Sequence, residues 1–434
     1  MVGAPVSGAR KLHLSSALVR NALALMVSSM GSSGVGIVFW AVAAHLASVE
    51  SIGRASAEFS AMSLLASLAS LSVGSSFIRF LPVSGDQTRR FVARSYGACT
   101  VLALILALVY VVAGFGNRFL PMSVVWRVLF VVVVVFWVVF ALQDAVLTGL
   151  RATKWIPVEN LLFGFAKLAL LPLLIVVLPT QGIFLAWSAP VFFAVAFVTR
   201  YLFRTRIPEH ESASHGRSFL PSGKEIASIL AAQGATELVM IISSMLMPLI
   251  VISRLGASAN GHFYLPWAVA GSFSVLIWNV LSSFLVEAAH DPSTMRLHVD
   301  RTVRLVLLIL VPALAAGVTL APYLLRIFGA TYADHGTTLL RLLLLALPGT
   351  AVTGFFTSFL WLERRMLALT CRQLVDAAVF LGATLLLIGH FGLLAVGIAS
   401  LATEALQAVM FLPGAVRRYR MVHSEAGWSP RDAL

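Results

Sequence analysis

Stretches of about twenty mostly apolar residues recur twelve times along this chain: 22–46, 56–80, 94–115, 124–147, 157–178, 182–203, 226–252, 262–287, 302–326, 337–361, 368–389 and 391–414. That is the length a helix needs to cross the hydrocarbon of a bilayer. Lipid offers the backbone no hydrogen-bond partner, so a spanning segment must satisfy itself as a helix or close into a barrel. VLFVVVVVFWVVF (128–140) is rich in β-branched residues, yet its length and setting still predict a helix. Hydrophobic residues make up 59% of the 434 and charged residues 11%, against about a quarter in soluble proteins. The expected fold is all-α and integral to the membrane, with about 12 transmembrane helices in two pseudo-symmetric six-helix bundles.

A formal charge of +13 could suggest nucleic acid, but sidedness accounts for it. With a cytoplasmic N-terminus, 23 of the 31 Lys and Arg residues fall in inner segments, among them Arg89, Arg151, Arg200, Arg301 and Arg364. Six fall outside: Arg54, Arg118, Arg127, Arg254, Arg326 and Arg341. This is the positive-inside bias. It predicts a multi-pass protein of the cytoplasmic (inner) membrane with both termini cytoplasmic and no nucleic-acid partner. The first apolar run is too long for a signal peptide, AVA at 41–43 notwithstanding, and reads as a retained helix. Cys99 and Cys371 have no ligand-like neighbours and imply neither disulfide nor zinc site.

The chain divides near its middle. Residues 1–203 form a first six-helix unit, RTRIPEHESASHGRSFLPSGKE (204–225) a polar cytoplasmic linker loop, and 226–434 a second unit with a short tail. The halves echo each other. HLASVESIGRASAEFSAM (45–62), a polar pause after the first span, recurs about 209 residues later as SRLGASANGHFYLPWAVA (253–270), pairing His45 with Arg254 and Gly53 with Gly261. TGLRATKW (148–155) and WLERRMLA (361–368) lie about 213 apart, and QGIFLAWSAPVFFAV (181–195) and FGLLAVGIASLATEA (391–405) 210 apart. Six spans per repeat leave both repeats in the same orientation, with an axis along the membrane normal and a substrate site between them.

IVFWAVAAHLASVESIGRASAEFSAMSLLASLASLSVGSSFIRFLP (37–82) resembles the first two helices of polysaccharide-export flippases of the multidrug/oligosaccharidyl-lipid/polysaccharide exporter superfamily. ISRLGASANGHFYLPWAVA (252–270) resembles the matching turn of the second half, and LLRIFGATYADHGTTLLRLL (324–343) the ninth-to-tenth helix connection. The chain departs at His45, where the family commonly has arginine, and has twelve spans where the superfamily's murein-precursor flippases have fourteen. The resemblance implies a transporter that flips a lipid-linked oligosaccharide or related glycolipid precursor by alternating access. Membrane lipids, a glycan polymerase and glycosyltransferases are the implied partners. A drug/cation antiporter of the same superfamily, a membrane-embedded glycan polymerase or ligase, and a non-transporting assembly partner are the alternatives.

Ionisable residues within spans cost about 2.5–3.5 kcal/mol at a helix centre and single out candidate sites. Lys167 lies mid-span and is expected to face a hydrated cavity. Glu237 and Glu404 are candidates for ion coupling. Arg79 is a substrate-binding candidate, with a headgroup-level snorkelling charge as its plainer reading; Asp144, Glu287 and Asp376 share that plainer reading. His45 and Arg254 could grip a pyrophosphate from equivalent outer positions, since Arg pairs phosphate oxygens two at a time; interfacial decoration is the alternative. The glycines of MGSSGVG (30–36), Pro248 and PGTAVTG (348–354) suit close helix packing, or local unwinding. No G-x-x-x-x-G-K-[ST] or H-E-x-x-H string occurs, so no catalytic residue, metal or cofactor is expected and the chain reads as a non-enzyme.

The charge bias can be checked directly. In a background lacking Cys99 and Cys371, a cysteine at Ser258 should react with an impermeant outside reagent, and one at Ser214 should not. The reverse pattern would invert the topology.

Overall fold

The computed structural model describes residues 31, 34–121, 123–214, 216, 218–290 and 294–424. Within them the chain is helical with no strand. In order the helices are α1 (Gly34–Leu46), α2 (Val49–Ala69), α3 (Val73–Phe80), α4 (Thr88–Val112), α5 (Val124–Gly149), α6 (Trp155–Val177), α7 (Gly182–Tyr201) and α8 (Ile207–Ala213). The second half holds α9 (Gly223–Leu255), α10 (Ala257–His290), α11 (Met295–Arg326), α12 (Ala330–Leu362), α13 (Met366–Phe391) and α14 (Leu394–His423). Ten helices are long and apolar enough to span, and α2 with α3 supplies an eleventh as a bent pair. The start of the first expected span, both termini, and Met30, Ser32 and Ser33 of the MGSSGVG motif lie outside the described residues. The result is a multi-pass membrane protein whose halves repeat one plan: α4 packs on α5 as α11 does on α12, and α6 on α7 as α13 on α14.

Two features differ from expectation. The second span is broken, with α2 and α3 meeting at 50°. The break falls in SLSVGSS (70–76), where short hydroxyl side chains compete for backbone groups. Ser70 Oγ donates to the Ala66 carbonyl at 2.8 Å, and Ser72 adopts a left-handed backbone with φ 58°. Pro248 and Pro348, by contrast, lie inside unbroken helices, and Gly349 serves packing: a Cβ there would strike the backbone of Glu404. The polar linker also carries more structure than a loop. The helix of α7 continues through a π-turn at Leu202–Arg206 into α8. α8 docks back on the first half, where Glu211 Oε1 accepts the Arg89 N–H at 2.8 Å and satisfies a donor in the first turn of α4.

The repeated polar pause resolves into a helix-to-helix turn and the start of the next helix. Ser48 caps α2 by accepting the Ser51 N–H at 3.2 Å, and Gly256, at φ 91°, turns the chain between α9 and α10. Gly53 and Gly261 do not reverse the chain. Both sit inside helices and face each other across the junction of the two halves. A Cβ on Gly53 would strike the backbone of Ala257 and Gly261, and one on Gly261 the backbone of Val49. α2 and α10 therefore cross backbone to backbone, as small residues permit in lipid. Asn260, wholly buried, donates through Nδ2 to the Gly53 carbonyl at 2.7 Å and to Ser56 Oγ at 3.0 Å. One hydrophobic core runs across this seam, joining Phe39, Trp40 and Ile52 of the first half to Tyr264, Leu265 and Phe263 of the second.

Asn260→Ala should loosen the crossing by about 0.6 kcal/mol, the average for interhelical hydrogen bonds in membranes, and by at most about 1.7 kcal/mol. Gly53→Leu should cost more, because nothing flexible faces it. Thermal unfolding of the purified variants orders the two; a Gly53→Leu protein as stable as the parent would disprove the contact.

Candidate functional site

The seam and the polar residues beside it form the candidate site. On the first-half side, α6 presents Lys167 inward, only 4% exposed. Its Nζ lies 3.4 Å from the centroid of the Trp187 ring, with the rings of Phe163 and Phe39 at 5.2 and 5.4 Å. The cage is built from three helices, with Phe39 on α1, Phe163 on α6 and Trp187 on α7. Lys167 is therefore enclosed by aromatic faces, which corrects the expectation that it stands open to water in a cavity. Such faces attract a desolvated cation by about 2 kcal/mol or more. The rings continue outward from the cage. Trp187 lies 5.9 Å from Trp40, and Trp40 lies 4.7 Å from Tyr264 across the seam.

Glu237, on α9, reaches across the seam to the break in the second span. Its Oε2 accepts the Ser72 N–H at 2.8 Å. One turn away Ser75 Oγ donates to Gln233 Oε1 at 3.1 Å, and between them Gly234 lets Leu71 and Ser72 approach. A carboxylate thus caps the buried start of α3, where the helix dipole favours negative charge. Glu404, on α14, stays within the second half. It accepts Thr350 Oγ1 at 3.0 Å and Thr353 Oγ1 at 3.4 Å. Next to it, Arg372 donates to Gln407 Oε1 at 2.7 Å, and Gln407 donates in turn to Asp376. Asp376, read from sequence as a headgroup-level charge, is instead part of this intramembrane polar network.

His45 and Arg254 are exposed in the last turns of α1 and α9. His45 Nδ1 donates to its own helix, at the Ala41 carbonyl 2.9 Å away. Arg79 is exposed at the end of α3, with its guanidinium 5.3 Å from the Phe80 ring. The structure therefore brings Glu237 to the seam, holds Lys167 in a cage beside it, and leaves His45, Arg254 and Arg79 on surfaces. Two residues that sequence reasoning passed over stand out. Asn260 carries the crossing, and the NG pair at 260–261 in an otherwise helical run was its signal. Glu58 on α2 is 4% exposed, with Oε2 buried and unpartnered among the described residues. No cluster of three or more metal-ligating side chains occurs among the described residues.

Comparison with protein-family models gives no match, and comparison with curated proteins gives none. Solved structures do match over nearly the whole length. A multidrug resistance MATE family transporter of the MOP superfamily, in an inward-facing conformation, is 16% identical, with 92% of this chain and 96% of that one covered at a TM-score of 0.62. The lipid II flippase MurJ, in an inward closed conformation, is 13% identical, covering 91% and 89% at 0.65. A MOP superfamily transporter from Pyrococcus furiosus, described as having a binding pocket of reverse polarity, is 15% identical, covering 93% and 96% at 0.54. The chain has the fold that these transporters share.

The cage makes a stability prediction with an unusual sign. Burying an ammonium is costly, so Lys167→Met, which keeps the volume, should leave the melting temperature unchanged or raised. Trp187→Ala leaves the ammonium without its nearest ring and removes a large side chain, and should destabilise by about 3–5 kcal/mol. A Lys167→Met variant less stable than Trp187→Ala would make the ammonium a structural element instead.

Proposed function

We propose that this protein is a transporter of the cytoplasmic membrane that flips a lipid-linked oligosaccharide or related glycolipid precursor between leaflets by alternating access. The physical task sets the requirement. Each sugar hydroxyl moved into hydrocarbon without a partner costs a few kcal/mol. A polar path between two bundles removes that cost while the lipid tail stays in the bilayer. The shared fold supports rocking of one bundle against the other around the seam.

Lys167 is the observation that carries the choice of substrate. An aromatic box is how proteins hold organic cations, and here the chain's own ammonium fills it. A cationic drug would have to displace Lys167; an anionic headgroup would be drawn toward it. Glu237 gives a means of coupling to an ion gradient. Its carboxylate caps α3 across the seam, so protonation or cation binding at Glu237 weakens that tie and biases the two bundles toward one arrangement. Glu404 is the second coupling candidate, within its own bundle. In this reading His45 and Arg254 grip the pyrophosphate at the outer mouth and Arg79 meets the headgroup on the basic side. Glycosyltransferases and a glycan polymerase are its functional partners.

A second reading, a drug/cation antiporter, draws on Asp376, Glu404 and buried Glu58, which could present acidic surface to a cation. Reconstituted vesicles separate the two. A fluorescent polyprenyl-pyrophosphate oligosaccharide should cross leaflets in the presence of the protein, and a lipophilic organic cation should not accumulate. Lys167→Ala should slow flipping at normal protein abundance, and the His45→Ala/Arg254→Ala double variant should impair it. Full flipping by all of these variants would remove the residues from the mechanism. Cation accumulation without lipid flipping would replace this reading with the second.

A further inference from the structure

Away from the seam, α6 and α7 leave a groove of about 610 Å3 on the outside of the first bundle. That is within the roughly 300–1,000 Å3 of small-molecule sites. Its walls include Trp155, Leu162, Phe193, Phe197 and Tyr201, and Ala194 leaves room between them. Leu162, Phe193 and Phe197 are well exposed, so the groove opens to the bilayer. At one end the rings of Trp155 and Tyr201 come together with centroids 4.9 Å apart.

Basic residues flank Trp155 and Tyr201 along the chain at that end. Arg151 and Lys154 lie just before α6, Arg200 is in the last turn of α7, and Arg204 is in the π-turn beyond; all four are exposed. Arg206 sits 5.8 Å from the Tyr201 ring while paired with Glu209 at 2.9 Å. An apolar slot under a basic rim is complementary to a lipid with an anionic headgroup.

Glu159 adds a selective element. It is the acidic residue lining the groove, one turn inside Trp155, and is 9% exposed. Both of its carboxylate oxygens are buried and unpartnered among the described residues. A buried acceptor of this kind calls for a donor. In the second half, the corresponding groove between α13 and α14 is smaller, about 330 Å3. There Arg372 stands where Glu159 does in the first half and is already hydrogen-bonded to Gln407. The larger groove therefore lacks an internal partner for its polar group, and the smaller one has it.

We propose that the α6–α7 groove binds an anionic phospholipid whose headgroup carries hydroxyls, of the phosphatidylglycerol type. One acyl chain lies between Phe193, Phe197 and Leu162. The phosphate sits at the rim of Arg151, Lys154, Arg200 and Arg204. A headgroup hydroxyl donates to Glu159, whose buried carboxyl turns into the groove to accept it. The site does not depend on what the protein transports.

The test uses the purified full-length chain, with native mass spectrometry of retained lipid after titration with phosphatidylglycerol, phosphatidic acid or phosphatidylcholine of equal acyl length. Phosphatidylglycerol should be retained best and phosphatidylcholine least. Arg200→Gln/Arg204→Gln, at two exposed positions, should weaken phosphatidylglycerol by roughly tenfold to thirtyfold. Glu159→Leu should reduce phosphatidylglycerol to the level of phosphatidic acid. Ala194→Trp, which fills the groove, should abolish retention of both. Equal retention of all three lipids by the parent protein would overturn the proposal, as would a phosphatidylglycerol preference that survives the double arginine variant. A polyprenyl phosphate that displaces phosphatidylglycerol at equimolar amounts would assign the groove to a transported lipid instead.

Discussion

Every backbone N–H and C=O placed in hydrocarbon must find its partner inside the protein, and the rest of this structure depends on that constraint. It makes the chain helical and tolerates Pro248 and Pro348 within continuous helices. It also explains why the one described break in a span lies against protein. At Ser72 the ladder of the second span stops, and the N–H freed there is taken by Glu237 from the opposite half. An interruption that lipid could not accept is satisfied across the seam. The defect and the interface are therefore one feature.

The seam itself is held by different forces at different points. Where α2 and α10 cross, Gly53 and Gly261 give close backbone contact, and Asn260 adds directed hydrogen bonds. Beside the crossing, Trp40 and Tyr264 meet edge to face. Toward the break, contact passes to Glu237, Gln233 and the serines of SLSVGSS. In lipid there is no hydrophobic drive between helices, so packing and hydrogen bonds decide the balance. A seam of a few small contacts, each of order 1 kcal/mol, is one that a bound substrate or ion can shift.

Much of this was legible in the residues. Apolar runs long enough to span placed the ten spanning helices and the bent α2–α3 pair of the described residues, because hydropathy and length answer directly to the bilayer. The repeat showed in Gly53 and Gly261 at nearly constant offset. What those glycines do was not legible, since a glycine at a turn and a glycine at a crossing look alike in sequence, and only the fold opposes them. Lys167 was visible as a costly mid-span charge, but its cage is drawn from Phe39, Phe163 and Trp187, which are scattered over about 150 residues of chain and share no motif. Position alone places Asp376 near the interface, ten residues into α13; the partner that draws it inward, Gln407, lies on the next helix. Polarity alone makes the linker a loop, whereas Glu211 ties it to α4 through a contact that spans 122 positions.

The placement of charge bears on how such a seam could work. Lys167 lies at the inner end of a run of rings that reaches Tyr264 on the far side. Glu237 lies on the other half and reaches to the near side. Each half thus depends on a charged or aromatic group whose partner is in, or leads to, its counterpart. If an anionic headgroup draws the Lys167 ammonium away from Trp187, the ring is freed from its strongest polar contact. Trp187 packs on Trp40, and Trp40 on Tyr264, so a change at the cage is transmitted to the seam by contact alone. Under the proposed coupling, a cation at Glu237 would act on the same seam from the other side by releasing the Ser72 N–H. Both events would weaken one interface. Under the proposed function, a substrate at the cage and an ion at Glu237 would influence each other through the seam without meeting.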